Sequence, residues 1–239
     1  MLEIIAFNIT SCTAAQNAGA DRIELCADPA AGGTTPSIGF LQGARKVLDI
    51  PLFAMVRPRG GDFFYNEADF NIMKVDVINC KKLGCDGIVI GMLDAAGNVD
   101  ISRTSKLVEL AYPMEVTFHR AFDRTNALLP ALDAVLETGC TCILTSGREK
   151  TAVAGAQFLA ELQVYNNNRI NIMAGSGVRA ANIVDIAQKT NLRYFHSSAQ
   201  TTLASAMQYT NAAMSEDLVS LSVDSKEIKN MRALLSNFE

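Results

Sequence analysis

Short apolar runs of β-forming residues alternate with helical stretches along this chain of 239 residues. Their starts lie about 20 to 35 residues apart, the length that a strand, a loop and a helix need together. Because consecutive parallel strands must be joined by a crossover, usually a helix, the alternation predicts a parallel sheet. The expected strands are Leu2–Phe7, Arg22–Cys26, Leu52–Arg57, Gly87–Met92, Met114–Arg120, Cys142–Ser146, Ile170–Ala174 and Arg193–Ser197.

Such units, repeated around a ring, can close a barrel, and about 250 residues is the usual length of one. We therefore predict an α/β fold, a single-domain TIM-type (β/α)8 barrel over residues 1–239. The alternative is an open doubly wound sheet, but the first strand–helix turn lacks a GxGxxG fingerprint. We expect an excursion at about 200–223, which could cover the barrel mouth or an interface. A C-terminal helix at about 225–237 should follow, capped by Asp224 with Glu227 as a capping-box-like partner.

Composition excludes several classes of function. The net charge is −4 and no basic block is present, so we expect no nucleic-acid partner. No apolar run approaches the ~20 residues that span a bilayer, so we expect no membrane partner. The chain opens directly into an apolar strand without a basic leader, and its six cysteines include no CxxC pair. These features predict a cytoplasmic protein with reduced thiols.

Two of the expected strands end in crowded charge, with two glycines in the first, and β/α barrels build their active sites at the C-terminal ends of strands. Arg57 and Arg59 flank a proline that fixes the backbone, and their fork-shaped guanidinium groups suit carboxylate or phosphate. Asp62 is expected to hold one of these arginines. The alternative is a rigid surface loop tied by one salt bridge. Arg120 and Asp123 end the second run and are further candidates for ligand binding.

The chain has two histidines, His119 and His196, near the ends of the fifth and eighth expected strands. Histidine titrates near neutral pH and suits proton transfer, so we predict His119 as a catalytic acid or base and His196 as a ligand-binding residue. Both could instead be hydrogen-bonded core residues. Neither has a metal-ligand partner at helical or strand spacing, so zinc is not supported.

Side chains alternate between the two faces of a strand, which places Glu24 on the same face as Arg22 and Cys26. Because a lone buried carboxylate is costly, Glu24 is expected to meet Arg57 or another cation. We predict catalytic roles for Glu24 and Arg57. The alternative is a structural ion-pair network inside the barrel.

Two glycine-containing loops follow the sixth and seventh expected strands. Ser146 lies in the first, and Gly175, Ser176 and Gly177 form the second, which precedes a helix expected from about Arg179. Glycine lets backbone N–H groups approach a ligand, and helix N-termini attract anions. We predict that these loops bind a small anionic molecule, although a glycine turn can equally be mere loop geometry.

Thiolates are soft ligands that suit Cu(I). Cys140 and Cys142 have CxC spacing, but they lie at the start of a strand, at the bottom of the expected barrel. Cys26 lies at a strand end, nearer the expected site, and is our metal candidate, with copper as the ion. The alternative is a buried structural thiol.

Seven motifs occur in order along the chain: Glu24–Cys26, Gly32–Ser37, Arg57–Phe63, Thr117–Asp123, Leu144–Gly147, Met173–Val178 and His196–Ala199. Together they resemble the CutC copper homeostasis family. The resemblance implies a TIM-type barrel, a cytoplasmic location, a homo-oligomer and copper handling. It also adds Ser198 to the ligand-binding candidates.

Two functions therefore stay open. The first is a CutC-like copper homeostasis protein that binds a copper ion at Cys26 or another thiol. The second is an enzyme of the lyase or isomerase type, acting on a small phosphorylated or carboxylated molecule at the barrel mouth. There His119 would be the acid or base, Glu24 a second carboxyl, and Arg57 an anion-binding group. A third possibility is a non-catalytic barrel that binds such a molecule.

Overall fold

The computed structural model describes residues 1–215 and 218–236. Eight parallel strands pair in sequence order and close into a barrel, because the first strand pairs with both the second and the eighth. The predicted single-domain TIM-type barrel is thus confirmed. The barrel strands are β1 (Leu2–Ala6), β2 (Arg22–Leu25), β3 (Leu52–Met55), β4 (Gly87–Ile90), β5 (Glu115–Phe118), β6 (Cys142–Thr145), β7 (Asn171–Ala174) and β8 (Tyr194–Ser197).

A helix follows each of the first seven strands and packs on the outside of the barrel. These helices are α1 (Ile9–Asn17), α2 (Ile38–Val47), α3 (Glu67–Lys82), α4 (Ile101–Ala111), α5 (Leu128–Thr138), α6 (Ala156–Asn166) and α7 (Ile183–Thr190). Outward-facing strand residues such as Ile23, Phe118 and Phe195 join the helices in one continuous apolar core. Residues at alternate strand positions fill the barrel interior, so the barrel is packed rather than open.

The interior contains two apolar clusters on opposite groups of strands. Cys26, Phe53, Met55 and Val89 form the first, on the side of β2 to β4. The second lies on the side of β6 and β7 and consists of Cys142, Leu144 and Met173. Polar residues of the interior therefore lie among apolar neighbours, where an unpaired charge is costly.

Six of the eight barrel strands end one or two residues earlier than the sequence predicts, whereas β7 and β8 end where predicted. β3 stops at Met55, two residues before Arg57, and β5 stops at Phe118, immediately before His119. Arg57 and His119 therefore belong to the loops at the barrel mouth. The helix predicted from about Arg179 is also displaced. An Asn182 side chain accepts the Arg179 N–H at 2.9 Å and holds a turn there, so α7 begins at Ile183.

An antiparallel hairpin lies where the sequence predicts an excursion after β8. Its strands are β9 (Gln200–Leu203) and β10 (Ser220–Val223), while residues 216–217 of the predicted excursion lie outside the described residues. β9 brings Gln200 to the wall of the barrel mouth. Within the described ranges, no helix has the length and hydrophobicity that crossing a membrane requires.

The C-terminal helix α8 (Ser225–Ser236) follows the hairpin, and residue 237 of the predicted helix lies outside the described residues. Asp224 caps it as predicted, because its Oδ1 accepts the Glu227 N–H at 3.2 Å. The predicted capping-box role of Glu227 is wrong. Its carboxylate accepts the Ala180 N–H at 2.7 Å instead and fixes α8 to the loop before α7.

Candidate ligand site at the barrel mouth

A cavity of about 320 Å³ opens at the C-terminal ends of the barrel strands. Apolar walls are provided by residues such as Phe7, Met55 and Phe63. Eight of the predicted site residues line it, namely Glu24, Arg57, His119, Arg120, Ser176, Gly177, His196 and Ser198. The barrel thus brings together side chains that are far apart in the sequence, and the cavity offers both charged and apolar surface to a ligand.

Several predicted site residues lie outside this cavity wall. Arg59 and Asp62 form a salt bridge of 3.0 Å, and Arg59 also reaches Asp69 at 3.1 Å. These salt bridges agree with the alternative interpretation of the sequence, a rigid surface loop held by a salt bridge. Asp62 lines an adjoining cavity. Gly175 packs so tightly against Leu144 that a side chain would not fit.

Asp123 joins the loops that follow β5 and β6. Its carboxylate accepts the Ser146 N–H at 3.1 Å and the Thr145 hydroxyl at 2.5 Å. It also forms a 2.8 Å salt bridge with Arg120, whose Nη2 donates to the Ser146 hydroxyl at 2.9 Å. Asp123 and Ser146 therefore position Arg120 at the cavity wall.

The buried guanidinium of Arg57 lies in the wall of the cavity. Its Nη1 donates to the carbonyl oxygens of Ala31 and Gly33 at 2.7 and 2.9 Å, and its Nη2 donates to Gly61 O at 2.9 Å. No carboxylate of the described residues forms an ion pair with it. Of the two partners expected for Glu24, Arg57 or another cation, the structure shows the second, because His196 rather than Arg57 lies beside it.

Glu24 belongs to a buried network of charged groups inside the barrel. Glu3 binds Arg22 Nε at 2.6 Å through one oxygen and His196 Nδ1 at 2.7 Å through the other. The other ring nitrogen of His196 lies 3.7 Å from Glu24 Oε2. The strand register explains the arrangement, since Glu3 on β1 is level with Arg22 on β2 and with His196 on β8.

Sequence reasoning missed Glu3 as part of this network. Its signal was a carboxylate within the otherwise apolar run Leu2–Phe7, on the same strand face as Ile5 and Phe7. Both of these apolar residues line the cavity. A carboxylate that shares a strand face with such residues indicates an inward-facing side chain, and its charge needs partners inside the barrel.

The network shifts the pKa values of its members in different directions. Burial raises the pKa of Glu24 to about 7, although the charge of His196 opposes the shift. Burial also acts to raise the pKa of Glu3, but Arg22 and His196 outweigh it and lower that pKa. Glu24 and Glu3 overcome the effect of burial on His196 and raise its pKa. Near neutral pH, Glu24 is thus the carboxyl that can both hold and release a proton.

His119 differs from His196 in protonation. Its Nδ1 accepts the Ala121 N–H at 3.1 Å, which assigns the ring proton to Nε2. Nε2 is buried and has no hydrogen-bond partner among residues 1–215 and 218–236. The centre of the His119 ring lies 4.9 Å from that of the Phe63 ring. Burial and the charge of Arg57 lower the pKa of His119 to about 3. His119 is therefore a neutral hydrogen-bond donor.

The two histidines are expected to titrate in separate pH ranges. Imidazole NMR signals should show His119 neutral, with its proton on Nε2, throughout the mildly acidic range, whereas His196 should stay charged above the ordinary histidine pKa of about 6.5. His119→Asn and His196→Asn variants assign the signals. Titration of both rings together near that ordinary value would contradict the described network.

The same shift predicts a contribution of His119 to acid unfolding. The unfolded chain binds a proton at His119 with a pKa of about 6.5, whereas the folded chain resists protonation. The stability that His119 contributes is therefore complete above this pH and is lost as the pH falls toward the folded pKa of about 3. Chemical denaturation as a function of pH should show a shallower acid loss in His119→Asn than in wild type.

Among the described residues, Glu3, Glu24 and His196 form the one group of three side chains that could hold a metal ion. Arg22 and His196 already occupy the two oxygens of Glu3, so the group is arranged as an ion-pair network. Cys26 is fully buried, and burial raises its pKa well above the ordinary value. Because the thiolate is the form that binds metals, a metal ion at Cys26 would have to displace the thiol proton.

Cys140 and Cys142 lie in different layers of the fold. Cys140 belongs to the core between barrel and helices, whereas Cys142 belongs to an interior cluster. Burial raises the pKa of each thiol to about 12. The CxC spacing therefore does not build a pair of facing ligands.

The loop after β7 contributes backbone to the cavity. Ser176 and Gly177 both adopt left-handed conformations, with φ of 75° and 72°, and both line the cavity. The Ser176 hydroxyl donates to Lys150 O at 2.8 Å and is therefore already used. Successive residues in left-handed geometry expose backbone N–H groups, which suits an anionic ligand.

Known proteins place the chain in a family. The model of the CutC family matches residues 1–201. The chain belongs to the CutC family. A CutC family protein from Chromobacterium violaceum is 48% identical over 209 residues, covering 87% of this chain and 85% of the relative. A CutC family protein from Photorhabdus laumondii is 42% identical over 245 residues and covers 98% and 97% of the two chains.

Solved structures agree with this membership. A CutC protein from Streptococcus agalactiae has a TM-score of 0.79 and 33% identity, covering 83% of this chain and 98% of that one. A thiamine phosphate pyrophosphorylase from Pyrococcus furiosus has a TM-score of 0.62 and 16% identity, covering 99% and 95% of the two chains. The second likeness shows the shared barrel fold alone.

Proposed function

We propose that this CutC family member binds a small anionic molecule, phosphorylated or carboxylated, at the barrel mouth and transfers a proton to or from it. Arg57 carries the proposal. Arg57 is 5% exposed and lines the cavity, yet among the described residues its guanidinium donates hydrogen bonds only to backbone carbonyls. A buried charge without a counter-ion is costly, and an anionic ligand would supply the missing charge.

Two further groups support a polar ligand. Glu24 Oε1 and His119 Nε2 are both buried without a hydrogen-bond partner in the described part of the chain, and both residues line the cavity. A ligand with a carbonyl or hydroxyl oxygen would satisfy His119, which donates. Glu24, whose pKa is about 7, would exchange a proton with the ligand. In this proposal Glu24 replaces His119 as the acid or base that the sequence predicted.

The binding step is tested with inorganic phosphate as the probe, by calorimetric titration against chloride at equal ionic strength. Arg57→Gln is expected to raise the Kd by about 10- to 100-fold, because a hydrogen bond to a charged group contributes about 1.5–3 kcal/mol. Arg57→Lys, which keeps the charge, should lose less. Arg59→Gln is the matched control, since its salt bridges lie outside the cavity wall.

Thermal unfolding of each free variant is measured first, because Arg57 also holds the loops that contain Gly33 and Gly61. Equal phosphate affinity in wild type and a folded Arg57→Gln would overturn the proposal. An equal loss in Arg59→Gln would overturn the placement of the anion.

The proton-transfer step needs the natural ligand. Native mass spectrometry of protein purified without a metal-affinity step should identify a retained anionic compound, which is then incubated with the protein in D2O. Wild type should incorporate deuterium at a carbon atom of the compound, a position that does not exchange with water spontaneously, whereas Glu24→Gln should bind it without incorporation. If wild type binds the compound without incorporating deuterium, the proton-transfer step is wrong and the protein is a non-catalytic barrel that binds the compound.

Copper handling is the second candidate function. The name of the Streptococcus agalactiae relative refers to copper homeostasis. In this chain, Cys26 packs with Met55 inside the barrel, which brings a thiol and a thioether together, and both are soft ligands.

Titration with a chromophoric Cu(I) chelator tests copper binding at Cys26. One Cu(I) per chain should be lost in Cys26→Ser but kept in Cys12→Ser. Equal copper binding by wild type and Cys26→Ser would rule out this site.

A cytoplasmic location and a homo-oligomeric state remain predictions. The six cysteines are free and buried in the described structure, which supports a reducing compartment. Cell fractionation tests the location, and sedimentation velocity tests the oligomeric state.

A further inference from the structure

The end of α3 places two cysteines against each other at the end of the barrel opposite the mouth. Gly84, which follows the C-cap residue Leu83, adopts a left-handed conformation with φ of 76°. The Cys85 N–H donates to Cys80 O at 3.1 Å, and the Gly84 N–H donates to Lys81 O at 3.2 Å. These two hydrogen bonds define a Schellman motif, in which the side chains at the positions of Cys80 and Cys85 come into contact.

The two thiols have unequal environments. Interaction with the neighbouring Cys80 thiol and the charge of Arg45 hold the pKa of Cys85 below its ordinary value. Arg45 is kept in place by a 2.8 Å salt bridge to Asp86, the residue that follows Cys85 in the chain. Cys85 is 7% exposed and Cys80 is fully buried, so an oxidant meets Cys85 first.

We propose that Cys80 and Cys85 form a disulfide when the protein meets hydrogen peroxide or another hydroperoxide. The Cys85 thiolate attacks a peroxide oxygen, the O–O bond breaks, and Cys85 sulfenic acid is formed. The hydroxide that leaves takes up the proton lost by the Cys85 thiol and forms the first water; from an organic hydroperoxide the leaving alkoxide forms an alcohol in the same way. The Cys80 sulfur then attacks the Cys85 sulfur, hydroxide leaves, and it takes the Cys80 proton to form water. The two thiols lose two electrons in total, and these reduce hydrogen peroxide to two molecules of water.

The backbone is already arranged for this bond. A disulfide requires Cα atoms about 4.4–6.8 Å apart, and the hydrogen bond between Cys85 N–H and Cys80 O holds the two backbones in contact. The bond would connect the last turn of α3 to the residues immediately before β4. It leaves the candidate site at the mouth unchanged, so its test is independent of the proposed function.

Cys140 provides a matched comparison within the same chain. It is 6% exposed, close to the 7% of Cys85, but its sequence neighbour Cys142 lies in a different layer. Burial raises its pKa to about 12. Exposure alone therefore does not distinguish the two residues, whereas a facing thiol and a nearby cation do.

Trypsin makes the test direct, because it cleaves after Lys81 and Lys82 and so separates Cys80 from Cys85. The folded, reduced protein is treated with hydrogen peroxide, remaining thiols are alkylated under denaturing conditions, and the digest is analysed by mass spectrometry. The peptides that contain Cys80 and Cys85 should remain linked in most oxidised chains and separate after reduction. Cys140 should be recovered alkylated.

Variants separate the two chemical roles. Cys80→Ala should accumulate sulfenic acid at Cys85, trapped with dimedone, and Cys85→Ala should leave Cys80 unoxidised under the same treatment. Cys140→Ala should form the linked peptide as wild type does, and circular dichroism verifies that each variant is folded. Absence of the linked peptide in folded wild type would overturn the proposal. So would a disulfide that forms only after the protein is unfolded in denaturant.

Discussion

Replacing Glu3 with glutamine is expected to lower the free energy of unfolding by about 3–5 kcal/mol at neutral pH. Glu3 is fully buried and binds both Arg22 and His196, and Arg22 is itself only 7% exposed. The substitution leaves Arg22 as a buried charge without an anion, which costs more than the lost contact alone. Denaturation in urea measures the change, and NMR should show a lower pKa for His196.

An exposed ion pair provides the control for Glu3→Gln. The side chains of Asp185 and Lys189 on α7 are 70% and 64% exposed, so Asp185→Asn should change the stability by less than ~1 kcal/mol. The double variant Glu3→Gln with Arg22→Met removes the stranded charge and should recover part of the loss. A loss below ~1 kcal/mol in Glu3→Gln would contradict a tightly paired network.

Replacing Phe118 with alanine is expected to destabilise the fold by about 3–5 kcal/mol. Phe118 on β5 is fully buried in the core between the barrel and the helices. Truncation removes a large apolar surface from that core and leaves a cavity that the rigid strands cannot close. Thermal and chemical unfolding should both show the loss.

Phe158 on α6 gives the matched control, because it is the same residue type but 42% exposed. Phe158→Ala should cost less than ~1 kcal/mol, since most surface substitutions have small effects. Similar losses for the two alanine variants would contradict the layered core, because they would give burial no influence on stability.

Local signals were sufficient to predict the barrel. Hydrophobic periodicity indicates the spacing of strand and helix units, so all eight barrel strands were predicted near their observed positions. The ends of the strands were predicted less accurately. An extended loop, such as the one that leads from β3 to Arg57, has strand-like residues but no strand pairing. The predicted start of a helix is likewise inaccurate where a side chain stabilises a turn before it, as Asn182 does before α7.

The candidate site was predictable as a location but not as a set of contacts. Strand ends identified Glu24, Arg57 and His119, and all three line the cavity. Which charge meets Glu24 depends on the closure of the barrel, which brings Glu3 and His196 together from strands β1 and β8. Sequence spacing carries no measure of that distance. The neutral state of His119 likewise depends on a backbone N–H and on burial, which only the fold supplies.

The pairing of β1 with β8 has a consequence for how the protein is made. Leu2 on β1 pairs with Phe195 on β8, so one edge of β1 stays uncovered until β8 has left the ribosome. Contacts so distant in sequence form slowly, and an uncovered strand edge is a template for aggregation. Translation that stalls before Tyr194 should therefore release a nascent chain that depends on chaperones to stay in solution.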